Sequence, residues 1–118
     1  MGVQYNLVNE TKKEVITFRH LMGAKARELA GGPVESAIVT WYLVQNQGDD
    51  IQFVSDTYGE WPFDTQRRSL ESYTKKTDDV IDELRREGIL EDRGMLYVDE
   101  DEPDSVYVRD IVNIWSKR

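Results

Sequence analysis

Strand-like stretches separated by polar turns at both ends of the chain predict two β-hairpins. Near the start, residues 4–7 and 15–18 have the composition of strands, and the polar stretch 9–13 between them is typical of a turn. Near the end, residues 95–98 and 106–108 are rich in β-branched and aromatic residues and flank a turn of acidic residues. Each hairpin is expected to be antiparallel, because a turn joins its two strands directly.

One short strand and one helix are predicted after the first hairpin. Residues 51–54 (IQFV) follow a Gly-Asp-Asp turn signal and have a composition that favours a strand. In 33–47, apolar residues fall at helical spacing, and Pro33 is suited to the first position of a helix. Residues 34–46 are also rich in Trp, Tyr, Val and Ile, so a buried strand stays open as the alternative for this segment.

The strongest helical pattern covers residues 69–87. Its apolar side chains recur three and four residues apart on one face, which predicts an amphipathic helix. Ser69 is suited to cap the N-terminus of this helix, and Gly88 is suited to end it. A shorter helix is predicted at 23–30, before a Gly-Gly-Pro stop signal.

Together these elements predict an α+β fold. We expect an antiparallel sheet built from the N- and C-terminal hairpins plus the central strand 51–54, packed on the helices 33–47 and 69–87. Val15 and Phe18 fall on opposite faces of a regular strand, so at least one of them is expected to lie outside the core. The predicted core comprises Val15, Phe18, Ile38, Trp41, Phe53, Val80, Ile81, Leu84, Leu96, Val108 and Ile111.

The composition indicates a folded protein whose residues 1–118 form one domain. Apolar residues make up 39% of the chain, with three Trp, six Tyr and three Phe, which is unlike a disordered segment. The absence of cysteine excludes a disulfide framework, a Cys-ligated zinc site and a thiol nucleophile. The first residues lack the features of a signal peptide, and no apolar run is long enough to span a bilayer. A cytoplasmic protein without membrane association is expected.

The net charge of −8 is concentrated in the second part of the chain. Residues 1–47 carry five basic and four acidic residues, whereas residues 48–118 carry ten basic and nineteen acidic residues. Nucleic-acid binders normally have the opposite sign, because Lys and Arg displace counterions from the phosphates. We therefore expect no nucleic-acid binding. The acidity fits either plain solubility or attraction of a basic protein partner.

No residue pattern points to catalysis or to a cofactor. His20 is the sole histidine, and the candidate nucleophile Ser55 lacks the glycine-flanked elbow of serine hydrolases. The acidic turn 99–104 has no glycine at the sixth position of a calcium loop and contains Pro103, so a solvated turn is favoured over a cation site. The protein is expected to be non-enzymatic, with no cofactor and no metal.

Two segments are predicted to contact a partner. The loop 53–63 combines aromatic side chains, which are good binding anchors, with acidic ones suited to a basic partner. The turn 99–104 adds a second group of carboxylates. An alternative for the loop is that its aromatic side chains pin it onto the core. The predicted partner-binding residues are Asp56, Tyr58, Glu60, Trp61, Asp99, Glu100, Asp101 and Glu102.

The C-terminal half of the chain is similar to the helix-into-wing passage of winged-helix domains. Residues 80–90 (VIDELRREGIL) followed by 94–98 (GMLYV) carry this resemblance, which covers about half of the chain. It implies a winged-helix-like C-terminal part and a transcriptional regulator or adaptor. No second helix is evident between 51–54 and 69–87. The candidate reading helix exposes carboxylates that repel phosphates, so the resemblance implies protein binding rather than DNA binding. These acidic residues are Asp78, Asp79, Asp82 and Glu83.

The leading hypothesis is a non-enzymatic acidic protein-binding module. In its concrete form it is an inhibitor that neutralises a basic target, as a bacterial immunity protein occludes a nuclease toxin. The second hypothesis is the winged-helix-like regulator or adaptor. The third is a carboxylate-based enzyme, for which Asp56 and Glu60 are the pair to test.

Overall fold

The computed structural model describes residues 3–55 and 61–115. The helices and strands of these ranges form a mixed α+β arrangement, which confirms the predicted fold class. No helix within the two ranges is long and apolar enough to cross a membrane. In chain order the elements are β1 (Tyr5–Asn9), β2 (Glu14–Ile16), α1 (Ala26–Gly31), α2 (Pro33–Gln45), β3 (Ile51–Ser55), β4 (Thr74–Lys75), α3 (Thr77–Arg86), β5 (Leu90–Val98) and β6 (Tyr107–Asn113).

The larger sheet has the N-terminal hairpin at its centre. Its strand order is β3-β1-β2-β4. Strand β1 pairs antiparallel with both neighbours, and Leu7 lies opposite Ile16 on β2 and opposite Phe53 on β3. Strand β4 adds a short parallel edge next to β2. The predicted strand 51–54 therefore pairs with the first strand of the predicted N-terminal hairpin.

The larger sheet is buried on both faces at its central strands β1 and β2. Leu7 and Val8 are 2% and 0% exposed although they point to opposite faces of β1. Leu7 packs in a large cluster with the helices, whereas Val8 packs in a smaller cluster under residues 61–73. Val15 and Phe18 are both buried, one in each cluster, so the expectation that one would leave the core was wrong.

Segment 34–46 is helical, as preferred over the strand alternative. Pro33 occupies the first turn of α2, where its missing N–H leaves no hydrogen bond unmade. Val34, Ile38 and Tyr42 recur every four residues and face the large cluster. Ala37 and Trp41 also pack against this cluster, and a strand would have turned them to the face opposite Ile38.

Helix α3 begins at Thr77, so the predicted helix 69–87 was wrong over its first eight residues. Leu70–Ser72 form a single 3-10 turn, which Ser69 caps: its side-chain Oγ accepts a hydrogen bond from the backbone N–H of Glu71 at 3.3 Å. Thr74–Lys75 then form β4 at the sheet edge. Ser69 is a cap as predicted, but of the 3-10 turn rather than of the main helix.

Two contacts hold this segment out of the helix. Tyr73 is 3% exposed, and its hydroxyl donates a hydrogen bond of 2.5 Å to Glu10. The backbone N–H of Thr74 donates to the carbonyl of Lys13 at 2.9 Å. The apolar spacing that predicted a helix thus reflects burial of Tyr73 against the sheet, and tertiary contacts override the local propensity.

Strands β5 and β6 form a separate two-stranded sheet. The prediction that both hairpins belong to one sheet was therefore wrong. A defined turn at the end of α3 leads into the second sheet. Gly88 has a φ of +76°, its N–H donates to Arg85, and the N–H of Ile89 donates to Leu84, which together form a Schellman motif. The passage from α3 into β5 agrees in order with the winged-helix resemblance, whereas the described residues 61–76 before α3 contain one 3-10 turn and no α-helix.

The predicted core is confirmed for most of its members but not for all. Phe53 is 42% exposed and Leu96 is 55% exposed, so both assignments were wrong. Phe53 lies on the edge strand β3, and Leu96 lies in the outer part of the second hairpin. Trp41 and Val108 are half-buried. The confirmed members are Val15, Phe18, Ile38, Val80, Ile81, Leu84 and Ile111.

Candidate functional site

The outer part of the β5–β6 hairpin carries the largest group of exposed apolar side chains among neighbouring described residues. We call residues 93–106 the hairpin arm. Leu90 at the start of β5 is buried, but every residue of 93–98 is exposed. An apolar group of this kind on a folded protein is typical of an interaction site. Its members are Met95 (55% exposed), Leu96 (55%), Tyr97 (52%), Val98 (43%) and Val106 (38%).

Both faces of the hairpin arm are open. Tyr97 pairs with Val108 and Val98 pairs with Tyr107 in regular register. Successive residues of a regular strand point to opposite faces, so the side chains of Tyr97 and Val98 project in opposite directions. Since both are about half exposed, neither face of the arm is covered by the rest of the described chain.

Irregular pairing distinguishes the arm from a flat strand edge. The register of β5 against β6 shifts between Asp92 and Met95 and again between Met95 and Tyr97. Gly94 adopts a φ of +101°, and its N–H donates to Asp92 Oδ1 at 2.9 Å. Bulges of this type twist the strand and interrupt its hydrogen-bonding edge, which disfavours edge-to-edge aggregation.

The tip of the arm is an ordered acidic turn. Asp99 Oδ1 accepts hydrogen bonds from the backbone N–H groups of Asp101 (2.8 Å) and Glu102 (3.1 Å). These two N–H groups hold the pKa of the Asp99 carboxyl below its usual range. Asp99 therefore shapes the turn, while the side chains of Glu100, Asp101 and Glu102 are exposed and available to a partner.

Stacking on His20, which follows β2, holds the base of the arm against the N-terminal part of the chain. The His20 and Tyr107 rings lie parallel with centroids 3.8 Å apart, and His20 Nδ1 donates to the Tyr107 carbonyl at 3.0 Å. The N–H of Arg109 donates to the His20 carbonyl at 2.8 Å, and Arg19 donates to the carbonyl of Ser105. His20 thus orients the base of the arm through its contacts with Tyr107.

Arg109 adds a second attachment, to the start of α3. Its guanidinium donates to Asp78 at 2.7 Å and to Asp92 at 2.9 Å. The pKa of Asp92 is lowered, first by the N–H of Gly94 and then by Arg109. These bonds fix the direction in which the arm leaves the core.

The predicted site residues fall on different elements. Asp99, Glu100, Asp101 and Glu102 all lie at the tip of the arm. Trp61 is half-buried and packs against the smaller cluster, with its ring edge-on to Phe63 and its Nε1 donating to Thr65 at 3.3 Å. Its contacts favour the alternative in which the aromatic side chain pins the loop, and a binding role stays a prediction. Asp56, Tyr58 and Glu60 lie outside the described residues.

The apolar residues of the arm were missed as site residues. Sequence reasoning assigned 95–98 to a strand and Leu96 to the core. One signal was present: four consecutive apolar residues without polar alternation adjoin a run of acids. A strand with one solvated face normally alternates, so an unbroken apolar run indicates a strand that is either buried or prepared for burial by a partner.

Other features of the described residues give less indication of a binding site. An apolar groove of about 340 Å³ lies beside β3, and Tyr5, Leu29, Val39 and Phe53 are among its lining residues. Nothing in its lining selects a ligand by charge. Within residues 3–55 and 61–115, no three His, Cys, Asp or Glu side chains are placed to hold a metal ion together.

Comparison with known proteins does not assign the chain to a family. No protein-family model, curated protein or solved structure matches it.

Proposed function

We propose that this protein is a non-enzymatic binding module that uses the hairpin arm to bind, and so to neutralise, a basic protein partner. The observation that carries the proposal is the placement of exposed Met95, Leu96, Tyr97 and Val98 directly behind an acidic tip. Apolar area supplies the favourable free energy of association, and charge supplies the rate and the choice of partner.

The ordered state of the arm supports this role. The backbone bonds to Asp99 and the stacking of His20 on Tyr107 fix the arm before any partner binds. A pre-organised loop loses less conformational entropy on binding than a flexible one. Aromatic and apolar side chains that adjoin a charged margin match the usual composition of a protein interface.

The test compares two charge variants of the tagged full chain. Glu100→Gln/Asp101→Asn/Glu102→Gln removes three tip charges and retains Asp99, which shapes the turn. The matched control Asp64→Asn/Glu71→Gln/Glu87→Gln removes three exposed charges elsewhere. Proteins captured from the source cells at low and at moderate salt are quantified by mass spectrometry.

The expected result is one basic protein recovered in near-equal amount by the wild type and by the control. Its recovery should fall at least about tenfold with the tip variant and decline as salt rises, since exposed charge pairs are screened. Equal recovery by tip variant and control would remove the electrostatic part of the proposal. No captured protein at either salt concentration would remove the whole of it.

A further inference from the structure

We infer that the partner encloses the hairpin arm in a positively charged cleft with apolar walls, so that both faces of the arm and its acidic tip are buried together. This inference rests on the proposed function, since it specifies the shape and charge of the surface that binds the arm. A cleft differs from a flat docking surface in one measurable respect: it contacts both faces of the same hairpin.

Tyr97 and Val98 carry the argument about shape. Their side chains point in opposite directions, and they are 52% and 43% exposed in the free protein. A flat surface covers one of them and leaves the other in water, although removing each from water is favourable. A surface that buries both has two walls. At a rise of about 3.3 Å per residue, residues 95–98 require walls roughly 13 Å deep.

The acidic tip carries the argument about charge. Glu100, Asp101, Glu102 and Asp104 are exposed at the end of the arm that enters first. Enclosing carboxylates without counter-charges is strongly unfavourable, so the floor of the cleft must supply Lys or Arg. Behind the tip, the apolar strand residues require apolar walls. The partner class is therefore a protein with a cationic cleft of the kind that otherwise accommodates a polyanion.

A second copy of this chain does not meet this description. Its net charge is −8, so an acidic tip that approaches another copy meets a repulsive field. The register shifts at Met95 also interrupt the hydrogen-bonding edge that a second arm would need for strand pairing.

Site-specific photo-crosslinking tests the cleft. A benzophenone side chain replaces Tyr97 in one variant and Val98 in another, so that each variant reports on one face of the arm. A third variant carries it at Val44, which is 54% exposed on α2 and serves as the control. All three full-length proteins are irradiated in extract of the source cells, and the crosslinked products are identified by mass spectrometry.

The expected result is one and the same basic protein crosslinked from position 97 and from position 98, and absent from position 44. Peptide mapping should place the two crosslinks on opposite walls of one cleft. A product from only one of the two arm positions indicates a flat surface, which overturns the cleft and leaves the proposed function standing. Products that contain only a second copy of this chain, or no product from either face, overturn both.

Discussion

The two hairpins share a backbone form but differ in what covers them. In β1 the adjacent side chains of Leu7 and Val8 are 2% and 0% exposed, because helices cover one face of the sheet and residues 61–73 cover the other. In the hairpin arm the adjacent side chains of Tyr97 and Val98 are 52% and 43% exposed. Both strands are apolar on two faces, and only the first has two covering layers. The arm is thus a strand pair whose sequence is suited to burial that the rest of the described chain does not provide.

The turns of the two hairpins differ in the same way. Glu10 is 5% exposed, and although burial raises its pKa, hydrogen bonds that include those from Lys13 and Tyr73 outweigh this and lower it to about 2. Asp99 also accepts a tyrosine hydroxyl, from Tyr97 at 3.3 Å, but at the surface. Equivalent bonds contribute more where water is excluded. The first hairpin therefore stabilises the fold, and the second is available for contact.

Truncating one leucine in each hairpin gives the largest expected difference. Leu7→Ala should lower the free energy of unfolding by about 2–5 kcal/mol, because it leaves a cavity in the large cluster. Leu96→Ala should change it by less than about 0.5 kcal/mol, because Leu96 is already 55% exposed to water. Urea denaturation followed by circular dichroism measures both. If Leu96→Ala is as destabilising as Leu7→Ala, the arm is packed in the free protein and the comparison fails.

The tyrosine hydroxyls provide a second matched pair. Tyr73→Phe removes a buried donor to an ionised carboxylate and should cost about 1.5–3 kcal/mol of unfolding free energy. Tyr97→Phe removes an exposed bond of 3.3 Å and should cost less than about 0.5 kcal/mol. Thermal and urea unfolding of the two variants compare them directly. Equal costs would show that the two turns are equally important to the fold.

The N-terminal half of the fold was largely predictable because its signals are local. The two strands of the first hairpin, the helix begun by Pro33 and the strand 51–54 all follow from apolar period and turn residues. What failed depends on tertiary contacts. The start of the predicted helix 69–87 gave way to β4 because Tyr73 bonds to Glu10, a residue 63 positions earlier in the chain.

The candidate site was predictable by charge but not by apolar surface. The tip acids were selected because five carboxylates crowd into 99–104. Leu96 was assigned to the core because a buried strand and an unpartnered one have the same apolar sequence. Only the position of β5 and β6 in a second sheet, separate from the first, distinguishes them. That position depends on the whole fold, so a local pattern does not contain it.

The pH dependence of the unfolding free energy should differ between variants of Glu10 and of Asp99, the carboxylates of the two turns. The pKa of Glu10 is about 2 in the folded state against an ordinary value of 4.5, so its contribution is fully present above pH 4.5 and is lost as the pH falls towards 2. The difference in unfolding free energy between wild type and Glu10→Gln should therefore shrink over this range. Asp99→Asn is the matched surface control, with a smaller effect. Urea titrations at pH 6, 4 and 3 measure all three proteins, and a pH-independent difference for Glu10→Gln would contradict the assignment.

Replacing the apolar residues of the arm should have the smallest effect on stability. Met95→Thr/Leu96→Thr introduces β-branched residues, which suit a strand, in place of two side chains that are each 55% exposed, so the unfolding free energy should change by less than about 0.5 kcal/mol. Amide hydrogen exchange adds a residue-level measurement. The N–H of Val8 should exchange only on global unfolding, whereas those of residues 95–98 should exchange through local opening, with or without the substitution. Arm amides protected as strongly as Val8 would mean that the arm belongs to the cooperative core, and its apolar surface would then need another explanation than a partner.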